Sequence, residues 1–160
     1  MPHIHEKIDF TAEVLVVNKN RVLLRLHDKY KKWLSVGGHV ELDEDPVEAA
    51  VREVKEEVGL SDIKLWDGHI AYAPARGSVV GYKELIPPVF MNRHNISDTH
   101  EHVTLVYFAS SEDDNVVEQE SEKSPGWKWC TAEDLETLPG ISEHMKQYAL
   151  AALKALRADS

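Results

Sequence analysis

The most constraining feature of the chain is the punctuation around residues 46–58. Asp45 is a natural N-cap, and Pro46 fits the first helical position. Glu48, three residues after Asp45, closes a capping box, and Gly59 is a natural left-handed stop. These signals predict a helix over about 46–58. At about 100° per residue with Glu53 at zero, Glu56 falls near about −60° and Glu57 near about +40°. Val47, Ala50, Val51, Val54 and Val58 fall between about 60° and about 160°. One stripe of this helix is therefore apolar and a separate one is acidic. The apolar stripe explains docking but not the acids.

A solvated surface is the ordinary reason for a glutamate-rich stripe, and the spacing here is poor for one. Glu53 and Glu57 form a like-charge i,i+4 pair, which costs a few tenths of a kcal/mol. All three acids lie toward the helix C-terminus, the unfavourable end for negative charge. Lys55 is on another face, and only Arg52, four residues before Glu56, offsets the repulsion. Two local rules broken in one turn point to a functional reason. A hard divalent cation supplies one, because Mg²⁺ takes carboxylate oxygens, water and phosphate oxygens as ligands. Gly37 and Gly38 precede the helix, and glycines let backbone approach a ligand closely.

The stretch resembles the Nudix box, G-x5-E-x7-R-E-U-x-E-E-x-G-U with U apolar. It is matched at Gly38, Glu44, Arg52, Glu53, Val54, Glu56, Glu57, Gly59 and Leu60. Softer likeness extends to the opening hairpin, to Trp33, and to residues 127–135. One departure is Val36, where many relatives have proline before the two glycines. The resemblance implies an α/β/α sandwich built on a mixed β-sheet. It implies a metal-dependent hydrolase, MutT-like, that cleaves the pyrophosphate bond of a nucleoside diphosphate linked to another moiety. A nucleoside triphosphate, a nucleotide sugar, a dinucleoside polyphosphate and a non-nucleoside diphosphate all remain open as substrates. It implies Mg²⁺, with Mn²⁺ as a substitute, held by Glu53, Glu56 and Glu57 and by a backbone carbonyl of Gly38 or Gly37. Glu53 would orient or deprotonate the water, Arg52 would hold the glutamates, and Glu44 would support the loop. In this family the general base sometimes lies outside the box, and Glu101 is the leading outside acid, as base or extra ligand. Asp98, Glu84 and the acids at 112–114 are its rivals. The alternative is a Nudix-fold nucleotide-binding or regulatory module without turnover, which the intact set of acids disfavours.

Composition narrows the remainder. At 160 residues one domain is expected, spanning 1–160. A formal net charge of −10 with 18 scattered basic residues argues against a nucleic-acid polymer as partner. A small phosphorylated substrate remains compatible where a cation inverts the local charge. The single cysteine, Cys130, excludes an intrachain disulfide and reads as core. With no signal-like or membrane-spanning apolar run, a cytoplasmic protein without membrane association is expected. Oligomeric state is open between monomer and homodimer, the latter if the last helix keeps an apolar stripe free.

Along the chain, strands are expected at Ile8–Val17 and Val22–Leu26, forming a hairpin over residues 18–20, with a short extended piece at Trp33–Val36. Ile63–Ala73 looks strand-like, Pro74–Pro88 loop-rich, and Val89–Asn92 strand-like. His94–Glu101 reads as a loop and His102–Ala109 as a strand. Ser110–Gly126 reads as an acidic connection and Trp127–Cys130 as a short strand. Thr131 and Ser142 cap two helices, the last over about 143–157. Helices are expected on both faces of the sheet. Arg25, Arg76 and Arg93 are candidate phosphate contacts, and Trp33, Tyr72 and Tyr82 candidate base-stacking residues. His100 and His102 alternate around Glu101 with His94 close by. A zinc site is conceivable there, and loop solvation or substrate contact weighs more.

Overall fold

The structure, a computed structural model, describes residues 6–71 and 80–158. Tyr72 and Arg76 lie outside the described residues. The elements are β1 (Ile8–Asn18), β2 (Arg21–His27), β3 (Lys32–Leu34), β4 (Val36–His39), α1 (Pro46–Val58), β5 (Lys64–Leu65), β6 (Phe90–Asn95), β7 (Glu101–Ser110), β8 (Trp127–Cys130), α2 (Ala132–Thr137) and α3 (Glu143–Ala155).

The eight strands form one mixed sheet around a parallel pair, β1 and β7, which run in register from Ile8↔Glu101 to Val17↔Ser110. Each of these strands has its other edge divided between two partners. On β1, β2 pairs only at Val17 and Asn18, and β4 pairs at Thr11–Val14. On β7, β5 takes Ala109 and Ser110, and β6 takes Glu101–Val106. The fork on β1 matters for function, because β2 and β4 diverge from one strand and leave a cleft between them.

Alternation along the central strands divides the core in two. Ala12, Val14, Val16, Leu23, Val36, Tyr107 and Ala109 pack with Ala49, Ala50, Val54 and Val58 of α1. Leu15, Val17, Val22, Leu24, Val106 and Phe108 pack with Leu135 of α2 and with Met145, Ala149, Ala152 and Leu153 of α3. The unbroken apolar run of β1 follows from burial on both faces. The result is the expected α/β/α sandwich.

Helix α1 has the expected bounds. The Asp45 side chain accepts from the Val47 and Glu48 amides, Glu48 answers at the Asp45 amide, and Gly59 sits at φ 73°. Val51, at the margin of the apolar stripe, stays 40% exposed. Other expectations needed correction. The strand expected over Ile63–Ala73 is only Lys64–Leu65, because β7 offers that edge just two residues before β6 occupies it. The loop expected over 94–101 is shorter: β6 runs to Asn95, and the turn closes between Ile96 and His100. The apolar side of α3 is spent on the second core cluster. Cys130 is fully buried there, and burial pushes its thiol up to about 11, so it is inert at neutral pH. No helix among the described residues is long and apolar enough to cross a membrane.

Candidate functional site

The acidic stripe of α1 faces the β4 strand, and Arg52 organises it. The Arg52 guanidinium donates from Nη1 to Glu53 Oε1 at 2.9 Å and to Glu56 Oε2 at 3.0 Å. It donates from Nε and Nη2 to the two oxygens of Glu44 at 3.0 and 2.6 Å, and from Nη2 to the His39 carbonyl at 3.0 Å. Glu44 Oε1 also accepts from the Glu41 amide at 2.9 Å, which closes the loop between β4 and α1. A planar fork with five donors suits this task and an ammonium does not. The Arg52 hydrogen bonds hold the Glu44 carboxyl below its ordinary range. Burial pushes Glu53 up, with Arg52 opposing.

Arg52 takes one oxygen of Glu53 and one of Glu56. The other oxygen of each makes no hydrogen bond among the described residues. Gly38 leaves room beside Glu53: a Cβ there would stand 2.6 Å from Glu53 Cδ. At Gly37 a Cβ would stand 2.8 Å from the Glu13 backbone, so β4 and β1 approach closely only because the residue is glycine. Glu57 is held differently. Its Oε2 accepts from the Gly37 amide at 3.0 Å and its Oε1 pairs with Arg25 Nη1 at 2.7 Å. Burial still pushes its carboxyl up, against the pull of Arg25 and the amide.

An all-oxygen set with unsatisfied carboxylate oxygens beside an open glycine fits a hard divalent cation. Glu53, Glu56 and Glu57, with the carbonyls of Gly37 and Gly38 nearby in sequence, are the groups that would hold it. We expect Gly38→Ala to displace Glu53 and raise the Mg²⁺ concentration for half-maximal turnover by about 10–100-fold. A Mg²⁺ titration checks this, with circular dichroism confirming the fold. An unchanged half-point would show that the gap at Gly38 does not position Glu53.

The cleft left by the β1 fork opens beside this cluster. It measures about 280 Å³, and its lining includes Glu13, Arg25, Ser35, Gly37, Glu57 and Glu122. Two acids of its lining, Glu13 and Glu122, and a third that pairs with Arg25, Glu118, escaped the sequence reading. Glu13 sits mid-strand on β1, accepting from Ser35 Oγ at 3.1 Å, and burial pushes its carboxyl up. Its sequence signal was a lone charge just before the apolar run that starts at Val14. Glu118 accepts from Arg25 Nε at 3.2 Å, and the Glu122 carbonyl accepts from Arg25 Nη2. The Glu122 carboxylate is close enough to oppose ionisation of Glu53. Both come from the connection between β7 and β8, whose length and acidity were its signals.

Glu13 also yields a pH prediction. Ionising it costs more in the fold than in the unfolded chain. It therefore adds stability below its unfolded pKa and loses it as pH rises through the raised folded value. Glu13→Gln removes that loss. We expect its Tm to exceed wild type at pH 8. The gap should close below about pH 4. A pH series of melts checks the sign.

The remaining sequence candidates fall elsewhere. Arg25, expected on a substrate phosphate, instead has its guanidinium on Glu57, Glu118 and the Glu122 carbonyl. Trp33, a candidate for base stacking, lies in the β2–β3 register opposite Leu26 and packs against the second core cluster. Glu101, expected as base or ligand, pairs with Arg93 and with Lys7 Nζ at 3.5 Å. The Arg93 hydrogen bond holds its carboxyl below the ordinary range, which suits an ion pair better than a proton acceptor. Arg93 is likewise committed to Glu101. Tyr82 and Glu84 hydrogen-bond each other at the surface, and Asp98 is exposed. Asp114 pairs with Arg21 at 2.9 Å.

Comparison with known proteins agrees with this geometry. A NUDIX domain profile matches residues 8–151. The crystal structure of a NUDIX-family hydrolase from Clostridium perfringens superimposes with a TM-score of 0.78 at 34% identity, covering 91% of this chain and 96% of that one. The E. coli dihydroneopterin triphosphate pyrophosphohydrolase shares the fold, with a TM-score of 0.62 at 18% identity over 94% of this chain and 97% of that one. A protein named "Probable DHNTP pyrophosphohydrolase" from Lactococcus lactis subsp. cremoris (strain MG1363) is 28% identical over 119 residues. That match takes in 74% of this chain and 61% of the relative's length. The box geometry on α1 and β4, the sandwich that carries it and a profile match over most of the sequence together show that the chain belongs to the NUDIX family.

Proposed function

We propose that the protein is a Mg²⁺-dependent pyrophosphohydrolase acting on a small heterocycle-linked triphosphate, with Mn²⁺ as a substitute ion. The observation that carries the reading is the Arg52-organised carboxylate cluster, in which Glu53 lies against Gly38 and Glu57 borders a cleft. Bound there, divalent cations would neutralise the diphosphate, acidify a water and stabilise the leaving group, effects worth several kcal/mol. The chain's own part is to place charge. Arg52 bridges Glu53 and Glu56 through one nitrogen and offsets their repulsion. Glu53, with its carboxyl pushed up by burial, is suited to accept a proton. Arg25 and the Gly37 amide hold Glu57 at the mouth of the cleft.

The substrate class rests on a second cavity of about 480 Å³, whose lining includes Glu13, Tyr30, Asn92, His94 and Tyr148. Glu13 borders both this cavity and the cleft beside the box. A carboxylate between them suits the N–H edge of a purine or a pterin, with the triphosphate running toward α1. Dihydroneopterin triphosphate joins the nucleotides as a substrate to test because it is in the names of two similar proteins, one of them alike in fold alone.

The test is release of pyrophosphate or phosphate from a panel of nucleoside triphosphates, 8-oxo forms, nucleotide sugars, dinucleoside polyphosphates and dihydroneopterin triphosphate, with and without Mg²⁺ and Mn²⁺. Metal-dependent cleavage of one triphosphate class supports the reading. Silence across the panel, equal to that of Glu57→Gln, would move weight to a binding module.

A further inference from the structure

We propose that Asp9, His39, His100 and His102 form a second metal site, specific for a Zn²⁺-class ion and separate from the glutamate cluster. The four donor atoms lie within 4.8 Å of one another. Three strands and a turn bring them together. Asp9 and His102 are register partners in the β1–β7 pair, and His39 ends β4, whose partner on β1 is Thr11. His100 closes the turn before β7.

Strand alternation separates this site from the box. On β1 and β7, Ala12 and Leu105 point toward α1, so Asp9 and His102 point to the opposite face. On β4, Val36 packs with α1, and by the same alternation His39 faces away from Glu53. The next layer up is the buried Thr11–Thr104 hydroxyl pair at 2.7 Å, which divides the cluster from the apolar core.

The arrangement is close to a coordination sphere. Asp9 Oδ2 stands 3.1 Å from His100 Nε2 and 3.4 Å from His39 Nε2. Tetrahedral zinc with bonds of about 2.0–2.1 Å requires donor separations of about 3.3 Å. Two pairs are already there, and His102 closes the set by rotation. Its ring meets those of His39 and His100 at centroid distances of 4.9 and 5.2 Å. It makes no hydrogen bond among the described residues. Three imidazoles and one carboxylate suit zinc, whereas Mg²⁺ selects oxygen. Side-chain exposures of 42% for Asp9, 59% for His39 and 30% for His100 leave an entry path. With four protein ligands and no open position, the ion is a clip. It ties the starts of β1 and β7 to the end of β4, the strand that carries Gly37 and Gly38.

The test uses untagged, metal-stripped protein titrated with Zn²⁺ in a calorimeter, and the same protein loaded with Co²⁺ for visible absorption. One tight equivalent is expected, with the intense visible bands of tetrahedral Co²⁺. The Glu53→Gln/Glu56→Gln double variant should keep that equivalent. His100→Gln, in the turn, and Asp9→Asn should each weaken it by about 100-fold or more, with circular dichroism unchanged. Weak octahedral Co²⁺ bands, or Zn²⁺ binding that survives His100→Gln and is lost in the double variant, would place the ion at the box and overturn the proposal. So would the absence of Zn²⁺ binding to the wild-type protein.

Discussion

Glu57→Gln is expected to lower turnover by about a thousandfold, equivalent to about 4 kcal/mol of transition-state stabilisation. The amide keeps the size of the side chain and can still accept from the Gly37 amide. It removes one unit of negative charge from the group that would bind the cation. Stability should change little. Burial already disfavours the ionised form of Glu57, and Arg25 retains Glu118 and the Glu122 carbonyl after the substitution. Steady-state kinetics across a Mg²⁺ series, with a melt alongside, separates the two effects. Turnover within a few-fold of wild type would remove Glu57 from the proposed metal set.

Arg52→Ala should be costly for both activity and stability. Arg52 touches Glu44, Glu53, Glu56 and the His39 carbonyl. Without it, the three box acids repel one another over a glycine gap. Breaking a fully buried ion pair costs about 3–5 kcal/mol. Arg52 is 24% exposed and Glu56 47% exposed, so solvent screening reduces the expected loss to about 2 kcal/mol. In a domain of this size that is a Tm drop of about 4–8 °C. Turnover should fall by about 100-fold, and saturating Mg²⁺ should recover part of the lost Tm by replacing the missing positive charge. Arg52→Lys should not rescue activity, since one ammonium cannot serve four acceptors in a plane. A variant with normal Mg²⁺ dependence would show that the glutamates are positioned by something other than Arg52.

These two experiments also divide what the box does by itself from what the fold adds. Arg52, Glu53, Glu56 and Glu57 were legible because they lie on one helix, where 3.6-residue periodicity fixes their relative directions. The capping signals at Asp45, Glu48 and Gly59 act over three or four residues, and the helix begins and ends where they place it. The short strand at Trp127–Cys130 and the capping box at Thr131 and Asp134 were local in the same sense.

Other features needed contacts between distant parts of the chain. The expected strand over Ile63–Ala73 shrank to two residues because the extent of a strand depends on the edge offered to it, not on its own composition. Arg25 read as a candidate phosphate contact, and the fork on β1 turns it toward Glu57 and the 118–122 segment. Glu101 read as a candidate base or extra ligand, and β6 brings Arg93 against it.

By itself the sequence determined the acidic helix, its caps and its acid spacing, since these are local relations within one element, and the family that the motif from Gly38 to Leu60 indicates. Only the tertiary structure decided where Glu13 and Glu118 stand and how Asp9, His39, His100 and His102 meet. Those groups converge through strand register and loop placement, and register is set by pairing between strands up to about 90 residues apart in the chain.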